Sequence, residues 1–165
     1  MTDATPIALT ELAARPIIRA FDPALDEDAA AILAATTGAK TTQRGREVLA
    51  GLRANDAVEL YGMFVGEVLV AVLSLRRDAM ANEVTHLAVK EGERHKGYGR
   101  LFLQDALRRS GKRPLTVETD EEAVGFYKTC GFKIVGRRKH PSGVLRYRLG
   151  WHAPNVRTQD SGFRT

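Results

Sequence analysis

Glu83-Val84-Thr85-His86-Leu87-Ala88-Val89, Arg94-His95-Lys96-Gly97-Tyr98-Gly99 and Arg100-Leu101-Phe102-Leu103-Gln104-Asp105-Ala106-Leu107 form the stretch on which the reading of this chain turns. A strand-like run, a basic glycine loop and a helix-like run follow one another within it. Strand, glycine loop and helix together hold an anion, because loop N–H groups converge on it and the helix dipole favours negative charge. Two nucleotide loops of this kind are excluded by the residues. Gly92 and Gly97 have P-loop spacing, but Tyr98-Gly99 stands where Lys and Ser/Thr are required. A dinucleotide fingerprint needs a third glycine at position 102, which is Phe102.

Working outward, Pro16–Phe21 reads as a short strand, and Asp22-Pro23 as an N-cap with proline at the first helical position. Leu25, Ala29, Ile32 and Leu33 then recur at helical spacing. Thr42–Ala54 is a second helix, interrupted by the poor helix formers Gly45 and Gly51. Ala57–Val65 and Val68–Leu75 flank Gly66-Glu67 as a β-hairpin, and Asn82–Lys90 is the next strand. Downstream of the loop, Leu103, Ala106 and Leu107 make a helical stripe that Gly111 closes. Pro114–Glu118 is a strand. Thr119-x-x-Glu122 has the form of a capping box opening a helix with Ala123, Tyr127 and Cys130 on one face, closed by Gly131. Phe132–Arg137 and Val144–Gly150 form a second hairpin. The order β-α-α-β-β-β-α-β-α-β-β predicts an α/β domain over 15–150, with an arm over 1–14 and a polar tail over 151–165.

Two motifs carry a family resemblance. One is Leu87-Ala88-Val89 leading into Arg94-x-x-Gly97-x-Gly99; the other is Asp120-x-x-Ala123-x-x-Phe126-Tyr127-x-x-x-Gly131-Phe132. Together, and on the expected elements, they resemble the GNAT superfamily of acyl-CoA-dependent N-acetyltransferases over residues 16–150. The resemblance implies the GNAT fold: a mixed, mostly antiparallel, splayed sheet with helices on both faces. It also implies acetyl-CoA as co-substrate, an amine acceptor, and direct attack in a ternary complex.

By the same resemblance, backbone groups of Leu87 and Val89, with Ala88 between them, pair with the pantetheine amides, and one such N–H polarises the thioester carbonyl. Arg94, His95, Lys96, Gly97, Tyr98, Gly99 and Arg100 form the pyrophosphate loop, with the two glycines allowing close backbone approach. Phe126 and Asp120 are expected near the cofactor, although Asp120 replaces a frequent asparagine and equally suits helix capping. Tyr127 is the general acid for the departing thiolate. Glu83 stands eleven residues before Arg94, the place of the catalytic glutamate in the histone-acetylating branch, and is the candidate base. His86 is the reserve base; simple strand alternation turns it away from Glu83 unless a bulge intervenes.

Charge is divided unevenly. Residues 1–90 carry nine Lys/Arg against twelve Asp/Glu, and residues 91–165 carry sixteen against eight. A basic half suits a polyanion, and coenzyme A meets that need as well as nucleic acid does. A nucleic-acid reading needs basic residues interleaved with aromatics or a helix built for a groove, and neither is visible. The run Arg137-Arg138-Lys139-His140 has the form of a solvated hairpin end. The single Cys130 excludes an intrachain disulfide and fits a reducing cytoplasm. Four histidines without ligand spacing predict no metal, and no apolar run predicts a membrane span. A non-catalytic acyl-CoA-binding module is the alternative function. A homodimer is compatible with the family, and the acceptor's identity has no signature in the chain.

Overall fold

The computed structural model describes residues 15–152, so the expected arm over 1–14 and most of the expected tail lie outside the described residues. Trp151, expected to begin that tail, instead closes the last strand. The strands are β1 (Ile17–Arg19), β2 (Val58–Val65), β3 (Val68–Arg76), β4 (Asn82–Val89), β5 (Leu115–Thr119), β6 (Lys133–Lys139) and β7 (Leu145–Trp151). The α-helices are α1 (Asp26–Leu33), α2 (Thr42–Arg53), α3 (Tyr98–Ser110) and α4 (Val124–Thr129). None is long and apolar enough to cross a membrane.

The strands form one sheet in the order β1-β2-β3-β4-β5-β7-β6. All neighbours are antiparallel except β4 and β5, which run parallel. Their pairing is brief: Asn82, Glu83 and Val84 face Leu115, Thr116 and Val117, and the strands then separate. Alternation gives the sheet two apolar faces. Val72, Ala88, Phe64 and Leu69 pack against Ala29, Leu33 and Leu49 of α1 and α2. Leu73, Leu75, Val84, Val117 and Leu149 pack against Phe102, Leu103 and Ala106 of α3, and against Tyr127 of α4.

Local chemistry accounts for the elements. Asp22 accepts from the Ala24 N–H at 2.9 Å, opening a 3-10 turn (Pro23–Leu25) that leads into α1. Thr41 caps α2 through the Arg44 N–H at 3.2 Å. Gly45, a poor helix former, lies where α2 meets α1: a Cβ there would sit 1.9 Å from the Ala30 carbonyl oxygen. Ion pairs Arg46–Glu27 (2.7 Å) and Arg53–Asp26 (2.6 Å) join the same two helices at their exposed edges.

Two expectations are corrected. The Thr119-x-x-Glu122 capping box does not form. Thr119 is a buried strand residue, and Asp120 Oδ1 instead accepts from the Ala123 N–H at 3.0 Å. The turn tightens one residue later than a capping box demands, and α4 begins at Val124. The alternation that separated Glu83 from His86 also fails. Leu75 pairs with Val84 and Ser74 with His86, so Thr85 is an extra residue in β4. That bulge puts Glu83, opposite Arg76, and His86, opposite Ser74, on one face of the sheet.

Candidate active site

Where β4 leaves β5, its edge is free. The Lys90 N–H donates to Val70 O at 2.7 Å, which makes that pair a hydrogen-bonded rung of the antiparallel ladder. Rungs alternate, so the backbone groups of Leu87 and Val89 point away from β3 toward the open side. The Val89 carbonyl agrees, since it accepts from Arg94 Nε at 3.3 Å rather than from the sheet. Leu87 and Val89 therefore present the alternate donors and acceptors that an added extended segment pairs with.

The next turn delivers the glycine loop. Gly97 adopts φ +82°, a left-handed conformation suited to glycine, and caps α3 without a side chain. The first α3 bond runs from Leu101 N–H to Gly97 O at 3.1 Å. The N–H groups of Tyr98, Gly99 and Arg100 precede that ladder and face outward at the positive helix end. His95 is also left-handed, at φ +64°, a conformation that costs a non-glycine residue on the order of 1 kcal/mol. A Cβ at Gly99 would stand 3.1 Å from the Phe126 ring, so the missing side chain is what lets α4 close on α3.

A cleft of about 560 Å³ joins these parts. Leu87, Ala88 and Val89 form one wall, and Arg94, His95, Gly97, Tyr98, Gly99 and Arg100 the end. Phe126 and Tyr127 close the opposite side. Glu93, Ala123, and Ala35 and Thr36 from the turn after α1, complete the lining; nothing in the sequence context of Ala35 and Thr36 marked them. Two expected cofactor residues lie outside the lining. The Lys96 ammonium is held by Glu93 at 2.8 Å, an ion pair that raises its pKa, and Asp120 is engaged by the α4 turn. Of the basic groups at the mouth, Arg100 donates to Thr129 O at 3.4 Å and Arg94 to Val89 O.

Tyr127 is 7% exposed and packs edge-on to Phe126 and Phe132, with centroids 5.2 and 5.9 Å away. Burial pushes its phenol up to about 12, so it stays protonated throughout the neutral range.

A second cleft, of about 410 Å³, opens on the other side of the β4–β5 junction. Glu83, Val84 and Thr85 line it together with Thr116 and Glu118 of β5. The Glu83 carboxylate accepts from the Arg76 guanidinium across the strand pair. Behind the bulge, His86 is half-buried and lines neither cleft; burial lowers its imidazole pKa below the ordinary 6.5. The candidate acid and base thus stand beside different clefts, joined along β4. Among these residues the sequence reading lacked Ser74, Thr85 and Arg76, whose roles depend on a bulge that periodicity does not encode.

A family model described as an acetyltransferase (GNAT) domain matches residues 25–151. No curated protein matches the chain by sequence. Among solved structures, the fold resembles an aminoglycoside 6'-N-acetyltransferase complexed with coenzyme A, at TM-score 0.73 and 16% identity, over 84% of this chain and 98% of that one. It also resembles the PaiA N-acetyltransferase from Thermoplasma acidophilum in complex with coenzyme A, at TM-score 0.61 and 16% identity, over 83% and 99%. The ribosomal-protein-S18-alanine N-acetyltransferase from Escherichia coli aligns at TM-score 0.65 and 16% identity, over 86% and 99%. At these identities the structural likeness establishes the fold.

Proposed function

The chain belongs to the GNAT acetyltransferase family, and from that premise we propose that it transfers an acetyl group from acetyl-CoA to a primary amine by direct attack. One observation carries the reading: the free edge of β4, the glycine loop with its helix end, and the Tyr127 ring line a single cleft. An extended arm with amides at one end and phosphates at the other fits that sequence of partners. The pyrophosphate meets the outward N–H groups of α3 and the Arg94 side chain. The pantetheine amides pair with Leu87 and Val89. His95, Tyr98, Gly99 and Arg100 border the phosphate end.

The acceptor enters from the Glu83 side. Glu83, directly or through a water, takes the proton from the amine nitrogen, which attacks the thioester carbonyl carbon. As the carbonyl oxygen gains charge it accepts from an N–H on the free edge of β4. The C–N bond forms and the C–S bond breaks. Tyr127, protonated because it is buried, gives its proton to the departing sulfur, and the proton that Glu83 took from the amine returns to the phenol oxygen through solvent.

The test is calorimetric titration with acetyl-CoA beside the Gly97→Glu variant, followed by thiol release with an amine panel. Micromolar binding that the variant abolishes, with turnover that Tyr127→Phe and Glu83→Gln each reduce, is the expected result. Binding without turnover of any amine identifies a non-catalytic acyl-CoA module instead. No binding by the folded protein removes the reading altogether.

A further inference from the structure

We propose that the acceptor is an amine that also carries an oxyanion, a carboxylate or a phosphate, and that Arg148 is the side chain that reads it. This rests on the acetyl-transfer reading above and names its substrate class. The face of the sheet that α1 and α2 cover extends over β2, β3 and β4. Beyond β4, strands β5, β7 and β6 continue the same face with charged residues. Leu115, Val117 and Leu149 turn to the opposite, apolar face, so their neighbours Glu118 and Arg148, which pair across the strands, turn to this one. Arg138 and Arg146 pair across β6 and β7 on the same side.

The resulting cleft is lined by Arg76, Arg138, Arg146 and Arg148 but only two carboxylates, Glu83 and Glu118. Both carboxylates are already engaged. Glu83 takes Arg76. Glu118 takes Arg138 at 2.6 Å and Arg146 at 3.5 Å, and those guanidinium groups hold its carboxyl below the ordinary range. Arg146 is further committed to the Glu118 carbonyl at 3.3 Å. Arg148 stands directly opposite Glu118 in register and forms no ion pair with any described residue.

The cleft is therefore dipolar. Its β4 end presents Glu83 beside the reaction centre; its β7 end presents an uncommitted planar fork of the kind that matches carboxylate or phosphate oxygens two at a time. A ligand whose nitrogen sits at Glu83 and whose oxyanion sits at Arg148 satisfies both ends. A polyamine meets an excess of two positive charges along the same wall.

The full chain, labelled with nitrogen-15, is titrated with β-alanine, O-phosphoethanolamine, β-alaninamide and putrescine, in the absence and presence of coenzyme A. At least one of the two anionic amines is expected to bind about tenfold more tightly than β-alaninamide, as a charge-assisted pair gives, with putrescine weakest. Whichever of the two binds tighter names the oxyanion. Arg148→Gln is expected to erase that preference while leaving β-alaninamide binding and acetyl-CoA affinity as they were, and Arg148→Lys to restore part of it. Equal or tighter binding of β-alaninamide or putrescine, or an Arg148→Gln variant with its preference intact, overturns the proposal. Acetyl-CoA binding is read separately. If it is absent while the oxyanion preference stands, acetyl transfer fails and Arg148 is left as the reader of a bound anionic amine that is no acetyl acceptor; if it is present without the preference, only this assignment fails.

Discussion

The Ser74 hydroxyl lies 3.2 Å from His86 Nδ1, across the bulge in β4, and 2.5 Å from Thr85 Oγ1. Ser74 is fully buried and Thr85 and His86 are half-buried, so the three polar groups satisfy one another at the edge of the core. They fix the bulge that turns Glu83 and His86 to one face. Ser74→Ala removes the partner that Thr85 and His86 share, leaving them only each other at 3.2 Å, and is expected to cost about 1 kcal/mol by denaturant unfolding. If the bulge positions the base, turnover falls more in this variant than acetyl-CoA affinity does.

His86 sets a pH dependence of stability. Burial lowers its pKa in the folded chain below the ordinary 6.5, so the unfolded state binds more protons between the two values. Its contribution is fully present above pH 6.5 and is lost as pH falls through the depressed folded value. His86→Gln is expected to flatten the acid limb of the stability profile in that window. Because His86 lines neither cleft, the pH–rate profile of folded His86→Gln retains the shape of the parent's; loss of an acid limb in the rate would instead make His86 the base.

Tyr127→Phe removes one hydroxyl and keeps the ring between Phe126 and Phe132. The expected result is a fall in kcat of about 100-fold, the lower range for loss of a general acid, with acetyl-CoA affinity within about twofold of the parent, as a loss confined to the transition state implies. Since burial pushes the phenol to about 12, the parent protein is expected to show no loss of rate from this group across the neutral and mildly alkaline range. An alkaline limb near pH 9 that vanishes in Tyr127→Phe contradicts that assignment.

Gly45→Ala is expected to destabilise the fold by about 3 kcal/mol, the upper part of the range for overpacking. The added carbon meets a backbone carbonyl at 1.9 Å, which only a shift of α1 against α2 relieves. Gly51→Ala, on the exposed side of the same helix with open space around it, gains helix propensity of about 1 kcal/mol instead. Thermal unfolding of the two variants separates these effects.

Much of this molecule is legible in its sequence because the relevant signals are local. Gly66-Glu67 between two apolar runs is a hairpin on any reading, and Asp22-Pro23 starts a helical segment as written. The glycine loop carries its own geometry in Gly97. What stayed hidden depends on pairing between distant segments. The extra residue at Thr85 appears only when β3 sets the register. Gly45 reads as a weak helix position until α1 is laid against it. The capping box failed because Thr119 is claimed by the sheet, leaving Asp120 to start the turn. Arg138 reads as part of a solvated charge run, yet it reaches Glu118, twenty residues earlier in the chain.

The short seam between β4 and β5 has a consequence for the protein as a material. Three register pairs join the halves of the sheet there, and beyond them no described residue supplies a rung. The pantetheine arm proposed to lie along Leu87 and Val89 would supply rungs the polypeptide lacks, so the reactant would double as mortar. On that proposal each turnover would loosen and reset the joint between two halves of one sheet, and the amides of Leu87 and Val89 are where hydrogen exchange is expected to register that cycle first.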